Sequence, residues 1–242
     1  MSWFVLILLS ANLFSLASLI DKFLTGKFKS SFAYGLAVNI LLAVPILLLS
    51  PFVNFSLKIG WPLFFAVISG RLYFLMWVLF WLSLKKGEVS RSAAIFNTAL
   101  VFNAFLAVVF LGETLSPFKW LAILFIVSGA MFCSWENESG GKFNFNYLLV
   151  VLATIIGAIA NIISKIALRE IEPLALYAIS YYGAVPFFFF LASKKEFSEE
   201  VKENFKKRQT FLALSLRVMF SFIAVCFFYL ALSSGPVSLV VA

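Results

Sequence analysis

WLSLKKGEVS at residues 81–90 returns in altered form as YLALSSGPVS at 229–238. Both stretches follow a long apolar run and break it at a glycine, Gly87 and Gly235, 148 residues apart. Two earlier stretches recur in the same order. ASLIDKFL (17–24) is answered by ANIISKIA (160–167) at an offset of 143, and Ala43-Val44-Pro45 by Ala184-Val185-Pro186 at an offset of 141. Any one match is weak in so biased a composition. Three in one order, at nearly one spacing, indicate an internal duplication.

The composition sets the solvent. Hydrophobic residues make up 63% of the 242 and charged residues 12%, against about 45–50% and about 25% in a soluble domain. One aqueous core cannot hide that much apolar surface, so the solvent is lipid. The net charge of +8 does not point to nucleic acid, because the basic residues fall in short loops between apolar segments, as the positive-inside bias predicts. There are 31 Phe and no His, and the two cysteines, Cys133 and Cys226, lie in apolar stretches. They read as small buried hydrophobes, with no disulfide and no metal or other cofactor implied.

Eight spans follow, at residues 3–20, 32–50, 61–84, 92–111, 117–135, 147–168, 174–193 and 210–232. Each is near the ~20 residues that cross a bilayer as a helix. The unbroken apolar runs do not alternate as a barrel requires. The fold class is therefore all-α integral membrane. Gly112 suits a helix C-terminus and Ser116-Pro117 the start of the next helix. Pro45 and Pro186 fall inside spans and predict bends that serve as hinges. Residues 194–209, KKEFSEEVKENFKKRQ, set Phe197, Val201 and Phe205 four apart with charges between. That spacing reads as an amphipathic helix in the head-group layer, the alternative being a solvated linker.

On the duplication, residues 1–135 form a first repeat of five helices, 136–146 a linker and 147–242 a second, incomplete repeat. Five is odd, so the second copy enters the membrane from the opposite side. Inverted repeats of this kind place a substrate site near the midplane.

The candidate site residues are polar groups within the spans. Arg71 lies about 16 Å into its helix at 1.5 Å per residue. An Arg near the bilayer centre costs at least ~2.5–3.5 kcal/mol, so it requires a polar cavity or a partner, and a fixed guanidinium suits a carboxylate or phosphate. A structural role, bonded to backbone carbonyls or to Asp21, is the competing reading. Arg217 occupies the matching helix at a different register and has snorkelling as its alternative. Ser18 and Asp21 share a helix face, as do their counterparts Asn161 and Ser164, with Gly157 on the same face allowing close approach. Asn97 and Asn103 mark the fourth helix. For each of these, an interhelical hydrogen bond is the structural alternative. Trp77 and Trp81 read as gate or interfacial anchor. No carboxylate lies mid-span, which disfavours a proton-coupled exporter of lipophilic cations.

LKKGEVSRSAAIF (84–96), LAVVFLGETLSPFKWLAILFIVSGA (106–130) and LALSSGPVS (230–238) together resemble the EamA-type proteins of the drug/metabolite transporter superfamily. The most specific token is Leu111-Gly112-Glu113-Thr114-Leu115, followed by a helix ending in Ser128-Gly129-Ala130. The resemblance covers nearly the whole chain. It implies ten helices in two five-helix repeats and the movement of small metabolites, amino-acid-like or nucleoside- and sugar-like, by alternating access. Leu100 stands where many members carry a proline. Eight helices of the implied ten are present. Ala242 corresponds to Ala94, so the expectation is a fragment of a protein of roughly 285 residues.

The partners read as the lipid bilayer and a small-molecule substrate, with a homodimer left open. An enzyme is disfavoured, because the usual metal clusters, phosphate loops and histidine bases are missing. A non-transporting scaffold or partner subunit is the alternative function. Thirteen Lys and Arg lie in loops after the first, third, fifth and seventh helices, against Lys58, Lys119, Lys165 and Arg169 on the other face. The bias predicts a multi-pass protein of the cell membrane with its N-terminus outside, whereas the family resemblance implies both ends in the cytoplasm.

Overall fold

The computed structural model describes residues 2–53, 60–86, 92, 95–96, 98–134 and 145–240. Ten α-helices are described, α1 (Trp3–Thr25), α2 (Ser31–Leu49), α3 (Trp61–Lys86), α4 (Ala99–Leu111), α5 (Pro117–Ser134), α6 (Phe145–Ala167), α7 (Pro173–Ser193), α8 (Lys195–Lys206), α9 (Arg208–Ser234) and α10 (Val237–Val240), with a 3-10 turn at Ser50–Phe52. Six of them are long and apolar enough to cross a membrane, and two more, Ala99–Leu111 and Pro117–Gly129, are shorter apolar helices. Each of the eight expected spans thus contains a helix, the fourth described as one over Ala99–Leu111. The first runs on past residue 20 to Thr25. Its polar end, Asp21, is buried at 3% exposure.

The chain divides into two compact units, one of residues 1–71 and 163–235, the other of 72–162 and 236–242.

In the first unit α1 packs along α9. The buried face of α1 carries Leu6, Ser10, Ala17, Asp21 and Leu24. Its outer face exposes Val5, Leu8, Leu9, Leu16, Leu19 and Phe23. Most of its bulky apolar side chains thus face outward, as lipid requires. The Ser10 hydroxyl donates to the Ala224 carbonyl at 2.8 Å across this contact. α9 follows the same rule, exposing Leu212, Leu216, Met219 and Ile223 and burying Leu214, Arg217, Ser221 and Ala224.

α3 crosses α7 where two glycines meet a backbone. A Cβ on Gly70 would lie 1.8 Å from the Ser180 carbonyl oxygen, and one on Gly183 2.9 Å from the Val67 Cα. Without side chains at these points the helices approach closely enough for the Ser180 hydroxyl to donate to the Ala66 carbonyl at 3.1 Å. The Ser69 and Ser180 hydroxyls are 3.2 Å apart. Pro186 lies one turn further along α7, and Pro45 lies inside α2.

The segment 194–209 contains the amphipathic helix, α8. Its apolar face is covered by protein. Val201 is buried, the Phe197 ring stacks on Phe32 at 5.6 Å, and Phe205 meets Phe211 at 5.7 Å. The Glu200 carboxylate accepts the amides of Lys29 and Ser30 at the start of α2, a favourable place for negative charge. On the exposed side the Lys207 ammonium donates to Glu203 at 2.8 Å and holds that carboxyl below its usual range.

In the second unit α4 and α5 form a hairpin around Leu100, Ala104 and Ile123, with Val101, Leu115 and Trp120 against them. Gly112 ends α4 at φ 67°, a left-handed conformation that glycine adopts without penalty. The next residue, Glu113, turns its carboxylate onto the start of α10. It accepts the Val237 amide at 2.7 Å, the Ser238 amide at 3.1 Å and the Ser238 hydroxyl at 2.5 Å.

Candidate functional site

The two intramembrane arginines are held in opposite ways. Arg217, the tenth residue of α9, has a partner for each of its three nitrogens. Its Nε donates to Asp21 Oδ1 at 2.7 Å, its Nη2 to Asp21 Oδ2 at 3.1 Å and its Nη1 to the Ser221 hydroxyl at 3.1 Å. The Tyr34 hydroxyl donates to the same Asp21 carboxylate. Arg217 is 5% exposed and Asp21 3%. This bidentate pair ties α1, α2 and α9 together one turn from the end of α1. Every formal charge in it has an opposite partner, which is what hydrocarbon demands.

Arg71 is exposed and sits ten residues into α3, about 15 Å from its start at 1.5 Å per residue. Its Nε donates to the Gly183 carbonyl at 3.3 Å. Its two Nη groups bond to nothing among the described residues. The glycine crossing explains the register, since Gly70 and Gly183 bring the Arg71 stem alongside the α7 backbone. Pro186 adds to the polarity there. Having no N–H, it leaves the carbonyl four residues back, that of Tyr182, without its helical donor.

The other expected residues distribute as follows. Ser18 is exposed and donates to the Phe14 carbonyl of its own helix at 2.9 Å, so it does not join Asp21. Asn161 is buried in the second unit and links three helices. It accepts the Tyr73 hydroxyl at 2.6 Å and donates to Asn103 Oδ1 at 2.9 Å. Ser164 is fully buried. Gly157 faces Met76, whose sulfur would lie 2.6 Å from a Cβ there. Asn97 lies outside the described residues. Trp77 and Trp81 stack at 6.0 Å, with Trp77 also 6.3 Å from Phe96, and Trp81 is 2% exposed. Trp81 is thus a buried aromatic, not an interfacial anchor.

Four further residues carry polar contacts that spacing alone did not single out. Tyr34 and Tyr73 complete the two networks above, and Glu113 clasps α10. Lys165 caps α9, its ammonium donating to the carbonyls of Leu232 at 2.6 Å, Gly235 at 2.8 Å and Ser233 at 3.3 Å, where a helix C-terminus attracts a cation.

The profile of the EamA-like transporter family matches residues 1–135 and again 144–242. The chain belongs to the EamA-like transporter family. A curated relative from a Sinorhizobium species, named "Uncharacterized transporter in cobO 3'region", is 28% identical over 133 residues. The match covers 54% of this chain and 94% of that protein. This EamA-like protein is accordingly a multi-pass membrane transporter, and the exposed apolar belts of α1, α2 and α9 are its lipid-facing surface.

Proposed function

We propose that this protein carries small organic solutes across the cell membrane by alternating access between inverted repeats, 1–135 and 147–242. One observation supports the reading above all. In each compact unit the first helix of one repeat meets the third helix of the other. α1 meets α9 through Asp21 and Arg217, and α6 meets α3 through Asn161 and Tyr73. The equivalent helices pair although the residues at the contacts differ, as in a duplication whose halves have diverged. Bending at Pro45 and Pro186 supplies the compliance for opening one side at a time. The test is flux. The protein, expressed from its complete reading frame and reconstituted in liposomes, exchanges at least one radiolabelled solute from a panel of amino acids, sugars, nucleosides and organic anions. Absence of exchange across the panel, from protein that remains folded, supports a scaffold or partner role instead.

The loop charges favour an N-terminus outside and α8 in the cytoplasm. Glu199 reports this better than its neighbour Glu200, which is engaged by α2. Its side chain is 63% exposed. With both native cysteines removed, Glu199→Cys in intact cells resists a membrane-impermeant maleimide and reacts after permeabilisation. Ready labelling of intact cells reverses the orientation.

A further inference from the structure

We propose that Arg71 is the docking point for an oxyanion, a carboxylate or phosphate group on the transported solute. The assignment rests on the transport reading above and narrows its substrate class. Three observations carry it, all within the first unit. The Arg71 guanidinium is exposed at mid-span, where a bare cation is unfavourable in hydrocarbon. Its Nε donates to the Gly183 carbonyl at 3.3 Å, which ties the planar head to α7 and leaves the two Nη groups with no partner among the described residues. A planar fork with spare parallel donors matches the two oxygens of a carboxylate or phosphate.

The crossing below it is built tightly. Gly70 and Gly183 admit no side chain, and Ser69 and Ser180 bond across it. Arg71 is therefore held on a rigid platform, not on a loop, so its position is available to a ligand without prior ordering. Arg217 provides the contrast. Each of its three nitrogens already has a partner in Asp21 or Ser221, and its charge is buried and answered by Asp21, so it is not open to a second anion. The same pairing argues against a cationic solute. Asp21, the one aspartate of the chain, is held by Arg217 and Tyr34.

The experiment reads the site without requiring transport. The folded protein in liposomes is treated with phenylglyoxal, and modification of each arginine is followed by peptide mass spectrometry. Arg71 reacts, while Arg217, buried and ion-paired, is spared. Pyruvate, inorganic phosphate or both slow the reaction at Arg71 about tenfold when most sites are occupied, and ribose and choline leave it unchanged. Protection by pyruvate alone assigns a carboxylate, by phosphate alone a phosphate, and by both a general oxyanion site. An unreactive Arg71, or a rate that no anion alters, or equal protection by ribose or choline, overturns the assignment. Flux separates the two readings. Uptake of ribose or choline without any anion leaves transport standing and removes the anion site. Protected Arg71 with no flux of any solute leaves the site standing and removes transport. Arg71→Lys retains part of the anion protection of uptake, and Arg71→Ala loses it. Equal anion uptake by wild type and both variants also overturns the proposal.

Discussion

Gly70→Ala strips the protein of most of its thermal stability, while Gly129→Ala leaves it unchanged. Both changes add one methyl to a glycine in an apolar helix, and helix propensity favours alanine in both. The surroundings separate them. At Gly70 the new Cβ meets the Ser180 carbonyl oxygen at 1.8 Å, its carbon at 2.5 Å and its Cα at 2.7 Å. These are backbone atoms of a packed helix, so no rotamer relieves the clash. α3 and α7 must separate, and the Ser180 to Ala66 and Arg71 to Gly183 hydrogen bonds are lost with the contact. Overpacking typically costs about 1–3 kcal/mol and sometimes more. A backbone clash this close belongs at or beyond the upper end. At Gly129 nothing lies within 4 Å. Gly183→Ala, 2.9 Å from the Val67 Cα, falls between the two. Thermal unfolding of the purified variants in one detergent gives the order. A Gly70→Ala midpoint equal to that of Gly129→Ala would show that the crossing is not closed as described.

That crossing shows where the sequence is transparent and where it is opaque. The spans are legible because hydrocarbon thickness fixes their length, and Gly112 and Pro117 mark their ends by backbone chemistry alone. The duplicated segments are legible because Gly-, Pro- and Ser-bearing helix ends tolerate little change. The partners of polar residues are a different matter. Ser18 and Asp21 share a helix face by spacing, yet one bonds to its own helix and the other to α9, because rotation about α1 is set by packing. Gly70 in SGRLYF looks like any small residue of an apolar helix. Only the approach of α7 makes it indispensable. The tyrosines carry a further signal. In a chain with 31 Phe, four tyrosines mark positions where a hydroxyl has something to bond. Tyr34 reaches Asp21, Tyr73 Asn161, Tyr181 the Asn39 carbonyl and Tyr182 the Ser50 hydroxyl. A tyrosine amid phenylalanines in a membrane span is a pointer to a buried polar partner.

Asp21→Asn and Arg217→Met each prevent stable folding, and the two together restore it. The pair is buried among α1, α2 and α9, and removing either member leaves the other charge uncompensated in a medium without water. Breaking a buried pair from one side costs about 3–5 kcal/mol, a large share of the 5–15 kcal/mol that holds a typical folded protein together. The single changes are not equivalent. In Asp21→Asn the stranded guanidinium keeps the Ser221 hydroxyl, and the new amide oxygen still accepts from Tyr34. In Arg217→Met the stranded carboxylate keeps only the Tyr34 hydroxyl within the network. The double variant has no formal charge to solvate, and methionine fills the stem volume of the arginine. Replacing an intact buried pair with neutral groups is often close to neutral in stability. The recovery in the double variant is therefore the diagnostic measurement, read as membrane yield and thermal midpoint across the four-way cycle. Three variants equally destabilised would mean that the arginine does more than answer Asp21. A single variant as stable as the parent would mean that the charges are solvated, and that α1 and α9 are not joined through them.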